Sequence, residues 1–148
     1  MNKDALLKLM DEVPFYREMD SSERELLLGF ENHWSEFKVD EKILNEDEVD
    51  YGFFVLLTGQ VSVVRSKPAE VSLAQLVPGS IFGEITMKAK RPRTSSIQAD
   101  EDVVVFKVDG PLLDQLPSSL TIKIKDQIID LVISRLDEVN NRLSSFIR

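Results

Sequence analysis

The chain has no cysteine, one histidine and one tryptophan, and only six glycines and six prolines in 148 residues. Each scarcity closes off a class of chemistry. Without cysteine there is no disulfide staple and no thiolate metal site, although the redox compartment stays open. A lone histidine, His33, is too few for the histidine-rich metal centres that small β-barrel enzymes use. No apolar run approaches the roughly 20 residues that span a bilayer. The N-terminus carries no basic-then-apolar leader pattern, so a cytoplasmic location and no membrane partner are expected. Basic residues are also short, with 18 Lys and Arg against 26 Asp and Glu, a formal charge of −8. Nucleic-acid binding is driven by cations neutralising phosphates, so no DNA binding by this chain is expected.

What is present is a balanced globular composition, 43% hydrophobic and 30% charged, enough for one domain with a helical appendage. Ala5, Leu6, Leu9, Met10 and Val13 recur at helical spacing until Pro14. Asp20 with Glu23, and Ser22 with Glu25, are cap-like pairs opening a second helix through Leu26, Leu27, Phe30 and Trp34. An acidic loop is expected from Asp40 to Asp50. From Phe53 the pattern turns to strands. Phe53–Leu57 and Val61–Val64 flank Thr58-Gly59, which predicts a hairpin turn. A turn at Lys67-Pro68 leads to Val71–Leu76, and further strands are expected at Ser95–Ala99 and Val103–Val108. Short strands without βαβ alternation predict an antiparallel sandwich or roll.

The last 30 or so residues return to helix. Ile129, Val132, Leu136, Val139, Leu143 and Phe146 form a seam of near-heptad period. Ile128, Leu131, Ile133 and Ile147 widen that apolar surface, and such breadth favours a homodimer over a helix lying only on its own domain.

The most informative segment is Gly79 to Ser96. Glu84 follows Phe82-Gly83, and Arg93 comes nine positions later, preceded by Pro92 and followed by Thr94-Ser95. Lys88, Lys90, Arg91 and Arg93 concentrate positive charge in an acidic chain, with Glu84 the only acid nearby. Singly, Glu84 is as well explained as a cap and Arg93 as a solvated loop residue. Their joint spacing points to an anion site instead. Gly83 allows close approach of the backbone. Gly83–Thr86 is expected to open a short helix whose N–H groups and dipole favour a phosphate, with Arg93 adding a charge-assisted donor pair.

This cassette resembles the cyclic nucleotide-binding domain family, with support from Phe53–Gly59 and the Val13-Pro14-Phe15 entry. The resemblance covers essentially the whole chain. It implies a mainly β, α+β fold: an antiparallel eight-stranded β-roll, jelly-roll-like, with N-terminal helices and a long C-terminal helix. The implied boundaries are a binding domain over 1–115, with helices 1–35 and roll 36–109, and a dimerisation helix over 116–148. It implies a non-catalytic sensor of cAMP or cGMP, with no other cofactor. The ligand-reading residues would be Phe82, Gly83, Glu84, Ile85, Thr86, Arg93, Thr94 and Ser95, with Glu84 on the ribose 2′-hydroxyl and Arg93 on the phosphate. Asn140, with Asn141 beside it, is the candidate to cap the base from the C-terminal helix. Thr86 stands where the family usually has alanine, and the basic stretch Lys88–Arg91 is unusual. Thr94 suits guanine, yet small hydroxyl residues also serve adenine, so the base stays open. Relatives commonly continue into a helix-turn-helix domain, whereas this chain stops at Arg148; the expectation is a stand-alone sensor, or the regulatory part of something larger, acting on an unknown downstream protein. The competing expectation is a nucleotide-free member that serves only as an interaction or dimerisation module.

Overall fold

The structure is a computed structural model that describes residues 2–49, 52–66, 69–83 and 94–146. Helix α1 (Lys3–Glu12) is capped by Asn2, whose side chain accepts from the N–H groups of Asp4 and Ala5. It buries Leu6 and Met10, and Val13 ends it before a 3-10 turn at Pro14–Tyr16. Helix α2 (Ser21–Leu28) opens with the expected capping box of Asp20 and Glu23, two backbone donors satisfied reciprocally. The second candidate pair is not used, because the Ser22 hydroxyl donates to the Asp20 carboxylate.

The expectation that α2 runs on through Phe30 and Trp34 is overturned. A 3-10 turn (Glu31–His33) intervenes, and Trp34 opens strand β1 (Trp34–Phe37). Packing decides this. The indole N–H donates to the Leu27 carbonyl at 3.0 Å, and the ring lies 4.4 Å from that of Phe106, its cross-strand partner. A buried indole needs both a partner for its N–H and apolar contact, and the strand supplies them.

The remaining strands are β2 (Lys42–Leu44), β3 (Phe53–Thr58), β4 (Val61–Arg65), β5 (Val71–Leu76), β6 (Ile81–Phe82), β7 (Ser96–Ala99) and β8 (Val103–Val108). They form two four-stranded antiparallel sheets, ordered β1-β8-β3-β6 and β2-β7-β4-β5. The eight-stranded antiparallel roll is thus the fold of this chain. The supposed acidic loop contains β2, whose Ile43 and Leu44 are buried despite their acidic flanks. The two sheets enclose an apolar core that includes Phe54, Leu56, Val61, Phe82, Ile97 and Val105.

Thr58-Gly59 does not make a hairpin. β3 pairs with β6 and β8, whereas β4 pairs with β5 and β7, so the chain turns a corner from one sheet into the other. Gly59 makes the corner possible. Its φ is +84°, and a Cβ there would stand 2.5 Å from the Asp102 carbonyl oxygen. The β4–β5 hairpin forms as expected, although its Lys67-Pro68 tip lies outside the described residues.

After β8 comes a short helix that the pattern did not suggest, α3 (Gly110–Gln115), with the Asp109 carboxylate accepting from the Leu112 N–H. The chain divides into two compact units, Met1–Gln115 and Leu116–Arg148. The second holds one helix, α4 (Ser118–Phe146), of 29 residues and therefore about 43 Å long. Its seam residues Ile129, Val132, Leu136, Val139 and Leu143 are each about half exposed, and Phe146 more so.

Candidate functional site

The anion-site segment is rooted at both ends in the roll. On the entering side, the Gly79 N–H donates to the Leu56 carbonyl at 2.7 Å and the Leu56 N–H to the Ser80 carbonyl at 2.9 Å, which pins the turn after β5 to the middle of β3. Two residues of β6 then pair with β3, Ile81 with Val55 and Phe82 with Phe54. The Phe82 ring is buried and stacks on that of Phe54, centroids 5.4 Å apart and planes 9° from parallel. Phe82 therefore enters the core with its side chain. Gly83 follows at φ +83°, a left-handed conformation that costs other residues on the order of 1 kcal/mol or more.

Glu84, Ile85, Thr86 and Arg93 lie outside the described residues, as does the basic run Lys88–Arg91. The chain is described again from Thr94, which is exposed, and Ser95, which is half-buried. Ser96 is buried and begins β7.

Four side chains, those of Arg65, Ser96, Glu46 and Ser66, hold this exit, and none was singled out from sequence. The Arg65 Nε donates to the Thr94 carbonyl oxygen at 3.4 Å. The Ser96 Oγ accepts from the Glu46 N–H at 3.0 Å. The Glu46 carboxylate in turn accepts from the N–H and the hydroxyl of Ser66, at 2.6 and 2.7 Å. The β2–β3 connection, the β4–β5 hairpin and the start of β7 are thereby tied together beside Thr94. Only a low-level signal marked these residues: Arg65 and Ser66 directly follow the apolar run of β4.

Asn140 lies on α4, in the second unit, and is exposed. His33 is a packing residue: its Nδ1 stands 3.0 Å from the Lys107 carbonyl oxygen and its ring meets Phe30 edge-on. Among the described residues, no group of histidine and carboxylate side chains could hold a metal ion, and no helix is long and apolar enough to cross a membrane. A shallow depression near the Gly59 corner is lined by Glu36, Lys38, Thr58 and Asp102. There Asp102 accepts from the Val39 N–H at 3.0 Å and pairs with Lys38.

A sequence profile described as the cyclic nucleotide-binding domain matches residues 34–119, more than half of the chain. The chain belongs to that family. Solved structures agree on the fold. A cyclic nucleotide-binding domain from Methylobacillus flagellatus superposes with a TM-score of 0.74 at 20% identity, over 95% of this chain and 81% of its own. The Thermus thermophilus catabolite activator protein gives 0.71 at 21% identity, over 88% of this chain; the match spans only 62% of that larger protein. The regulatory domain of Toxoplasma gondii protein kinase A, solved with cAMP, gives 0.63 at 16% identity, over 86% of this chain and 50% of its own. The family is named as a binding domain, and the Toxoplasma neighbour is a regulatory domain.

Proposed function

We propose that this chain is a sensor of a 3′,5′-cyclic nucleotide, cAMP or cGMP, that signals through α4. The single observation that carries the reading is the left-handed Gly83, placed by the β3–β6 pairing immediately before Glu84 in a chain of this family. Gly83 presents bare backbone, and the N–H groups from Gly83 through Ile85 to Thr86 serve the exocyclic phosphate. Arg93 adds a bidentate cationic partner for that phosphate. Glu84 accepts from the ribose 2′-hydroxyl and is compensated by Arg93. Thr94 and Ser95 line the exit next to the phosphate, and Asn140 reads the base. That the Toxoplasma neighbour was solved with cAMP supports this ligand class here.

The exposed seam of α4 supports a homodimer in which two such helices pair, and ligand binding acts by favouring one arrangement of helix and roll over another. Such a module works in the cytoplasm on a downstream protein. Calorimetric titration with cAMP and with cGMP, up to millimolar concentration, tests the reading. Saturable heat with either supports it. No heat with both leaves instead the nucleotide-free interaction module.

A further inference from the structure

We propose that α4 pairs with a second copy of itself in parallel and in register, its direction set by unlike charges along the two flanks of the seam. The inference rests on the homodimer reading above and adds the geometry of the pair. Ile129, Leu136 and Leu143 take heptad position a, and Val132, Val139 and Phe146 take position d. Each is about half exposed or more. Lys125 takes the preceding d position, so the apolar seam opens at Ile129.

On one flank lie Arg135 and Arg142 at position g, with Glu138 between them one row further out. On the other lie Ile133 and Asn140 at position e, backed by Asp130 and Asp137 and by no cation. All five charged residues are exposed. One flank is therefore net basic and the other acidic. A face of that kind is complementary to its own copy, which is what a two-fold interface requires. Parallel pairing sets position g of each helix beside position e of the other, five places on. Ile128 then meets the partner's Ile133, and Arg135 meets the partner's Asn140 with the partner's Asp137 behind it. Symmetry repeats both contacts on the opposite side. Antiparallel pairing on the same seam, with Leu136 against the partner's Val139, sets like flanks together. Arg135 would face the partner's Arg142 twice, and the aspartate rows would face each other. Like charges so placed oppose the pair. Parallel pairing also brings both Phe146 ends together, so a downstream protein would meet two helix ends at once.

The chain has no cysteine, so an introduced thiol is the only one present. Val132→Cys and Leu143→Cys, each in the full chain, are oxidised singly and as a mixture, beside sedimentation equilibrium of the wild type. Parallel pairing predicts that each variant cross-links with itself and that the mixture gives no mixed product. In the antiparallel pair Leu143 faces the partner's Val132, and the two copies of position 143 stand roughly 16 Å apart along the helix, beyond disulfide reach. A cross-link found only in the mixture, or a dimer that cross-links in neither way, overturns the inference and leaves the homodimer. Arg135→Glu with Arg142→Glu should weaken the dimer about tenfold, since four flank contacts turn repulsive. Adding Asp130→Lys and Asp137→Lys should restore it. An unchanged dissociation constant, or a loss that the second pair of changes fails to reduce, also overturns the inference. A wild-type chain that sediments as a monomer at every concentration removes the homodimer reading and this inference together.

Discussion

Replacing Gly59 with alanine perturbs the corner that joins the two sheets, and its cost follows from the geometry there. Alanine at φ +84° incurs the left-handed penalty, about 1–2 kcal/mol. The added methyl would lie 2.5 Å from the Asp102 carbonyl oxygen, 2.6 Å from Val103 Cγ1 and 3.2 Å from the Val103 Cα. Two of those atoms are backbone of the turn into β8, so relief requires moving the strand that pairs with both β1 and β3. Overpacking of that kind costs a further 1–3 kcal/mol or so. The sum, roughly 2–5 kcal/mol, corresponds to a fall in melting temperature of about 10 °C for a chain of this size. Circular dichroism melts and urea titration would measure it. Asparagine at position 59 tolerates the left-handed backbone yet keeps the Cβ, so it should recover only the conformational part. Alanine at Gly110 is the control, since a Cβ there meets nothing within 4 Å. If Gly59→Ala melts within a degree or two of the wild type, the corner is not sterically closed and the account of how the sheets join is wrong.

Three further outcomes are expected. Arg93→Ala should weaken cyclic nucleotide binding by about 2 kcal/mol, the loss of a charge-assisted phosphate partner; an unchanged dissociation constant rules out that role. Glutamate at Val132 and Val139 should convert a sedimenting dimer to monomer, and a variant whose mass is unaltered excludes the α4 seam as the interface. Tyr16→Phe should be neutral or stabilising, because the buried Tyr16 hydroxyl finds no hydrogen-bond partner among the described residues. Burial raises the Tyr16 pKa well above its ordinary value, so its contribution is fully present below about pH 10 and is lost as pH rises through the folded value. Urea midpoints at increasing alkalinity should accordingly fall less for Tyr16→Phe than for wild type; parallel curves would contradict the assignment.

How much of this could be read from sequence depended on whether the signal was local. The Asp20–Glu23 cap is a contact within one turn, and it was legible. Val103–Val108 is long enough for its strand character to show, and its boundaries agree with the structure. Strands β1, β2 and β6, of four, three and two residues, are too short to display a period. Their existence is decided by partners far along the chain. Thr58-Gly59 carries the signature of a hairpin because a corner and a hairpin need the same left-handed glycine. The proposed anion-site motif stood out because Glu84 and Arg93 lie close in sequence. Phe82 could be placed next to the site but not oriented, since only the Phe54 ring across the sheet shows that its side chain turns inward. The tethers of Arg65, Glu46 and Ser96 join residues 20 to 50 positions apart, and no local pattern announces them.

The pairing of the roll is nested: β1 joins β8 alone, and β2 joins β7 alone. The first two strands to leave a ribosome therefore wait for the last two before either has an edge to bond. Loop-closure entropy over that span is spent before either of those two ladders forms, which makes assembly slow compared with a helical protein of equal size. During synthesis β2 would remain unsatisfied until Ala99 has emerged and β1 until Val108, an interval in which a holding chaperone has something to hold.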